Sequence, residues 1–384
     1  MNFDLFIDRK PTESLKWNCY PDDVLPMWVA DTDFRCPPAV IEALHKRVDH
    51  GIFGYGLTPE GLDRVVLDRL MHLYNWEVLP DQIGYVPGIV TGFTIVLRAL
   101  CEKGDSVIFQ TPAYPPFIGS PQASGLIGIQ NPMYLDDQGI YRVDLDLFER
   151  QVIDNRVKVY ILCNPQNPTG RVFSKEELFT LANICLRHNV TICSDEIHCD
   201  ILYDGHKHTP IASLDPEISK ITATFLAPSK TYNIAGLHAS VAVIQDAGLQ
   251  KTVKNYMEYL ISSPGILSLV AAKAAYEHGD EWLHEQITYL QCNRDIIGDA
   301  IDNGRLPGIR WSKPEGTFLA WLDCRELGIE GDLQEYFMNN AKVCMNDGCT
   351  FGEAGEGFLR LNFGCTQTVL KQGLEKMTEA IQKI

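Results

Sequence analysis

A succession of short apolar runs, each followed by a helical pattern, constrains this chain more than any other feature. Val157–Cys163 is almost continuously apolar, as expected of a parallel strand buried on both faces. Ile83–Val86, Val107–Phe109, Val190–Cys193 and Ile221–Leu226 are further runs of strand length. Helical periodicity fills Ile89 to Cys101. Ser174-Lys175-Glu176-Glu177 spells a capping box ahead of Leu178, Leu181, Cys185 and Leu186 on one helix face. Strands alternating with helices read as βα units around a parallel sheet. Beyond about residue 280 the pattern changes. A helix through Asp295–Ile301 meets a turn at Leu306-Pro307-Gly308, and Thr317–Leu322 and Phe358–Asn362 read as strands of a mixed α+β layer. The first fifty residues lack the alternation and are expected to pack with the C-terminal part. A chain of 384 residues exceeds what one core supports. The predicted organisation is a large ligand-binding domain over 51–280 and a smaller domain built from 1–50 and 281–384.

Composition narrows the function classes. With 33 basic and 50 acidic residues the net charge is −17, which gives no general support for binding nucleic acid or an anionic membrane surface. No apolar run reaches the roughly 18–20 residues of a spanning helix. Met1-Asn2-Phe3-Asp4-Leu5-Phe6 has no basic segment leading into an apolar one, so no secretory leader is expected. The 12 cysteines are scattered and contain no CxxC pair, which predicts a reduced, cytoplasmic compartment without structural zinc. His206 and His208 stand beside Asp204, but Gly205 and Lys207 mark a turn and no third ligand lies on a rigid element, so no metal is expected.

Ligands of open α/β sheets gather outside the carboxyl ends of the strands, so the residues after each strand carry the chemistry. Pro87-Gly88 leads into a helix whose first N–H groups, at Ile89 and Val90, suit a phosphate. Thr111-Pro112-Ala113-Tyr114 brings an aromatic ring to the same edge. Asn164-Pro165-Gln166-Asn167-Pro168-Thr169-Gly170 holds two Asn-Pro pairs in seven residues, a stiff loop. Ser194-Asp195-Glu196-Ile197-His198 places an acid at a buried strand end, costly unless a cation or donors meet it. Ala227-Pro228-Ser229-Lys230-Thr231-Tyr232-Asn233 directs an amine into the crevice. Taken singly, Asp195 and Lys230 could be a structural ion pair. Together the five strand ends supply a phosphate cup, a stacking ring, a donor for a phenolic oxygen, a carboxylate for a ring nitrogen and an amine for an aldehyde. Those are the partners of pyridoxal 5′-phosphate (PLP) held as a lysine Schiff base.

At these residues the sequence resembles the fold-type-I PLP enzymes, and within them the MalY/PatB group of C–S β-lyases. The similarity runs from Trp17 to the last helix. It is most specific at Met27–Phe34, Phe53-Gly54-Tyr55, Thr111–Tyr114, Asn164–Gly170, Ser194–His198, Ala227–Asn233 and Phe358–Asn362. The resemblance implies a large domain with a mostly parallel seven-stranded sheet and a smaller α+β domain from both chain ends. It implies that Lys230 carries the Schiff base, Asp195 faces the pyridine nitrogen, Asn167 meets the phenolic oxygen and Tyr114 stacks on the ring. Ile89, Val90, Ser229 and the Tyr55 of a second subunit would hold the phosphate, and His198 would line the cofactor. Ala30, Asn167 and Arg360 would bind substrate, with the Arg360 fork on the α-carboxylate. Tyr55 and Tyr114 are candidates for moving protons. Three positions depart from the broader aminotransferase pattern: His198 stands for a tyrosine, His238 for a phosphate-gripping arginine and Ala227 for a serine. The implied reaction is β-elimination of cystathionine or other cysteine S-conjugates to pyruvate, ammonia and a thiol, by a homodimer. An aminotransferase shares every cofactor contact and is the nearest alternative. A PLP-binding regulator would need an added DNA-binding domain. A nicotinamide dehydrogenase would need a G-x-G-x-x-G after its first strand, which is absent.

Overall fold

A computed structural model describes residues 1–384. Its main sheet runs through Ile83–Val86 (β1), Ser106–Thr111 (β2), Ile127–Leu135 (β3), Val159–Cys163 (β5), Thr191–Asp195 (β6), Thr222–Leu226 (β7) and Ser240–Ile244 (β8), with short Tyr141–Val143 (β4) folded back on the end of β3. The spatial order is β1-β8-β7-β6-β5-β2-β3-β4. Neighbours from β7 through β3 pair in parallel, while β8 runs antiparallel to both β1 and β7. The expected mostly parallel sheet of seven strands is present, with β4 as an eighth at the edge.

Burial on both faces explains the continuous apolar runs. Along β5, Val159, Ile161 and Cys163 join a core with Phe93, Phe109 and Phe225, whereas Tyr160 and Leu162 join the opposite core with Phe148, Leu178 and Ile192. This is strand periodicity of two with both faces covered. The helix Ile89–Leu100 (α1) covers one face, and Lys175–Arg187 (α2), opened by the Ser174–Glu177 capping box, covers the other. Gly92 lets α1 approach β7. A Cβ there would lie 2.5 Å from Cε1 of Phe225, a ring that is 1% exposed and cannot swing aside. Gly92→Ala gains roughly 1 kcal/mol of helix propensity but overpacks the core by about 1–3 kcal/mol. Chemical denaturation is expected to show a net loss of stability with an unchanged m-value.

The second sheet pairs Leu319–Asp323 (β10) with Arg310–Trp311 (β9) and with Phe358–Asn362 (β12), which also pairs with Asn346–Asp347 (β11); all its pairs are antiparallel. The first fifty residues divide. Leu25–Pro26 pairs with Val343–Cys344, and the Asn362 backbone N–H donates to the Met27 carbonyl, so this stretch joins the C-terminal layer. The helix Pro38–Asp49 instead packs on Ile266–His278. No helix is long and apolar enough to cross a membrane, and all 12 cysteines are unpaired.

Candidate active site

The parallel strands end at one edge of the sheet, and most of the predicted residues meet there. Lys230 sits on the one-turn helix Pro228–Thr231 that follows β7. Its Nζ donates to the Ala30 carbonyl at 2.6 Å. Burial lowers its pKa to about 8, with the positive charge of Arg360 adding to that while Asp31 and Asp195 oppose it. Asp195 is the last residue of β6. Burial raises its pKa to about 7; Glu196 pushes the same way, whereas the Ile197 N–H at 3.0 Å and Lys230 pull it down. His198 is buried edge-on to Phe318, and burial together with the Lys230 and Arg360 charges depresses its pKa to about 3. Its imidazole is therefore neutral.

Arg360, on β12, reaches in from the second sheet. Nη1 donates to Asn167 Oδ1 at 3.0 Å, and Nη2 donates to Asn346 Oδ1 at 2.6 Å and to the Trp28 carbonyl at 3.1 Å. The guanidinium lies 4.9 Å from the Phe351 ring centroid. Tyr114 opens the helix Pro115–Ala123, and burial and the nearby Asp195 raise its phenol pKa while Arg360 opposes. Ile89 and Val90 form the first turn of α1. Its N-cap, Gly88, has φ 101°, a backbone region that favours glycine, and offers no side chain to the free N–H groups. Ser229 is buried beside Lys230.

Tyr55 is the exception. It is fully exposed in an irregular segment, and the chain gives its hydroxyl no hydrogen bond. Sequence reasoning also missed several contributors. Asn346 and the Trp28 carbonyl orient Arg360, and the segment just after Ala30 is clamped by ion pairs. Lys16, with a fully buried side chain, meets Asp33 at 2.9 Å, while Arg9 bonds Asp31 at 2.8 Å and Asp33 at 2.7 Å. His208, weighed above beside His206 as a metal ligand, instead bonds Glu196 at 2.7 Å.

The polar atoms left over match PLP. Asn167 spends its carbonyl on Arg360 and leaves its NH₂ without a protein partner, a donor for a phenolic oxygen. Asp195, pushed toward protonation by burial, needs a cation such as a protonated ring nitrogen to stay ionised. His198 Nδ1 and Arg360 Nε are buried without partners. The first turn of α1 supplies donors for a phosphate.

Comparison with known proteins agrees. The family model for aminotransferase class I and II matches residues 22–377. Cystathionine beta-lyase PatB of Bacillus subtilis is 39% identical over 388 residues, covering 99% of this chain and 100% of the relative. Cystalysin from Treponema denticola, whose crystal structure contains PLP, superimposes with a TM-score of 0.95 at 30% identity, covering 100% of this chain and 99% of that one. The PLP-bound C-S lyase from Staphylococcus hominis gives 0.94 at 33% identity, with 99% of each chain covered. The chain belongs to the aminotransferase class I and II family and, within it, to the MalY/PatB group of cystathionine β-lyases.

Proposed function

We propose that this protein is a PLP-dependent carbon–sulfur β-lyase that cleaves cystathionine and related cysteine S-conjugates. The observation that carries the reading is the Lys230 amine, with its proton affinity lowered to about 8, set beside Asp195, His198 and Arg360 at the sheet edge. PLP supplies a conjugated ring that takes up the electron pair released when a Cα–H bond breaks. The residues supply the rest. A pKa near 8 leaves part of Lys230 neutral near pH 7, so its Nζ can accept the Cα proton, and Ala30 holds that atom in place through its carbonyl. Arg360, pre-aligned by Asn346 and Trp28, offers its fork to the substrate α-carboxylate. Asp195 would face the ring nitrogen and favour its protonated form, and neutral His198 would add no second cation beside it. Ile89, Val90 and Ser229 fit the phosphate, and Tyr114 the ring face. Tyr114, whose phenol feels the Asp195 charge, is also a candidate to pass a proton.

A second copy of the chain suits the exposed apolar face. Ile52, Phe53, Tyr55 and Leu57 lie exposed, as do Tyr259 and Leu260. Gly56, within the first stretch, packs against Ile266, the first residue of the helix Ile266–His278. A run of exposed apolar side chains such as Ile52, Phe53, Tyr55 and Leu57 suits an interface, and a homodimer would bring each Tyr55 toward the neighbouring phosphate site. Unpaired cysteines suit a cytoplasmic setting. Product identity tests the function. Cystathionine plus water is expected to give homocysteine, pyruvate and ammonia with no keto-acid acceptor present. A keto acid that forms only when an acceptor is added would replace the lyase by the aminotransferase.

A further inference from the structure

Glu196 and His208 form a pair whose side chains are wholly excluded from water, yet neither belongs to the machinery above. Burying a carboxylate is costly unless donors surround it, and here they do. Glu196 Oε2 accepts from His208 Nε2 at 2.7 Å, and Oε1 accepts from Ser194 Oγ at 2.8 Å and the Ile211 N–H at 3.3 Å. The far side of the imidazole meets Asn164, whose Nδ2 lies 3.4 Å from His208 Nδ1. Asn164 cannot turn, because its Oδ1 accepts the Phe173 N–H at 3.0 Å. Its NH₂ therefore faces the ring, Nδ1 is the acceptor, and the imidazole proton sits on Nε2 toward Glu196. The Tyr74 ring stands edge-on to His208, 5.5 Å between centroids, and fixes its plane. On the backbone, the Asn164 N–H donates to the Asp195 carbonyl at 3.0 Å.

The chain of contacts thus joins two cofactor-facing segments. One end is Glu196, next to Asp195; the other is Asn164, which opens the loop carrying Asn167. We propose that the Glu196–His208 pair is a positioning device that sets the Asp195 carboxylate and the Asn167 amide at a fixed mutual spacing, so that both meet PLP together. A buried pair of this kind contributes little net stability against an apolar replacement. What it adds is orientation, since a single neutral tautomer locks four side chains in one arrangement. Gln166 extends the same frame, as its Nε2 donates to the Pro112 carbonyl at 2.6 Å beside the Tyr114 turn. The inference rests on Asp195 and Asn167 being the cofactor's partners.

The test compares His208→Leu, which removes the donor to Glu196, with His208→Gln, whose amide can restore one. PLP affinity and the circular dichroism of the visible cofactor band are measured on holoenzyme, and kcat and KM at saturating PLP. With Glu196 left short of a buried donor, His208→Leu is expected to weaken PLP binding by roughly 10-fold. The visible dichroic band should change, and kcat should fall while KM for the thioether moves little. His208→Gln should recover most of each loss. Should the leucine variant fail to fold, Ser194→Ala removes a different donor from the same carboxylate and is expected to shift PLP affinity and the dichroic band in the same direction. A His208→Leu or Ser194→Ala protein with a lowered melting temperature but wild-type PLP affinity, dichroism and kcat would overturn the inference, leaving the pair a support of the fold. That result is separable from failure of the functional reading, which Lys230→Ala examines independently.

Discussion

Lys230→Ala is expected to lose thiol release by at least ~10³-fold, the upper part of the range for removing a proton-transferring side chain, and to lose the visible band of lysine-linked cofactor. The magnitude follows from two roles resting on one atom. Nζ is the only amine that the structure places beside both Asp195 and Arg360, since the buried Lys16 is committed to Asp33. It is also held in place by a single short bond to Ala30. Added alkylamine is expected to restore some proton transfer. A variant that keeps both band and activity would remove Lys230 from the mechanism, whatever the remaining residues do.

Asp195→Asn is expected to have opposite effects on activity and on the stability of the cofactor-free protein. Against PLP, the variant removes one member of a buried charge pair, a loss of about 3–5 kcal/mol, or roughly 10²–10⁴-fold in rate. Without PLP the sign reverses. Burial raises the Asp195 pKa from 3.8 to about 7, so the folded state holds a proton that the unfolded chain has already released across that window. The Asp195 contribution to stability therefore falls as pH rises from about 4 to about 7 and is level above it, while the depressed His198 pKa contributes with the opposite sign in wild type and variant alike. Asparagine has no proton to lose and abolishes that slope. At pH 8 the cofactor-free variant should be more stable by on the order of 2–4 kcal/mol, and near pH 4 the difference should vanish. Equilibrium denaturation at the two pH values checks this. Equal stability at pH 8 would mean that Asp195 already has a cationic partner in the empty protein, with Lys230 the only candidate close by.

The strand ends were legible because buried parallel strands announce themselves by composition and the residues after them sit at one edge by topology. Asp195, Lys230, Tyr114 and Asn167 could be located that way. The sequence ends β6 two residues too early, at Cys193, so Asp195 lies within the strand and not after it. β3 escaped notice because Asn131 and Pro132 interrupt it and its outer face is exposed. β8 is five residues of buried Ser-Val-Ala-Val-Ile, too short for periodicity to separate strand from helix. Contacts between distant segments left no local trace. Asn346 aligns Arg360 because β11 and β12 are in register at those residues, and Lys16 and Arg9 clamp Asp31 and Asp33 across an irregular stretch. His208 was weighed only as a metal ligand and set aside, because its partner, Glu196, lies twelve residues away on another element. Tyr55 was legible only through family resemblance; within one chain nothing draws it to the site.

The claim that Lys230 drives elimination and not amino-group transfer is tested most directly by counting turnovers. Holoenzyme is mixed with excess cystathionine and no keto acid, and pyruvate and free thiol are measured per active site. The account predicts many turnovers, with pyruvate and homocysteine in equal amounts throughout. A reaction that stops after one keto-acid equivalent per site, with no thiol released, would contradict it.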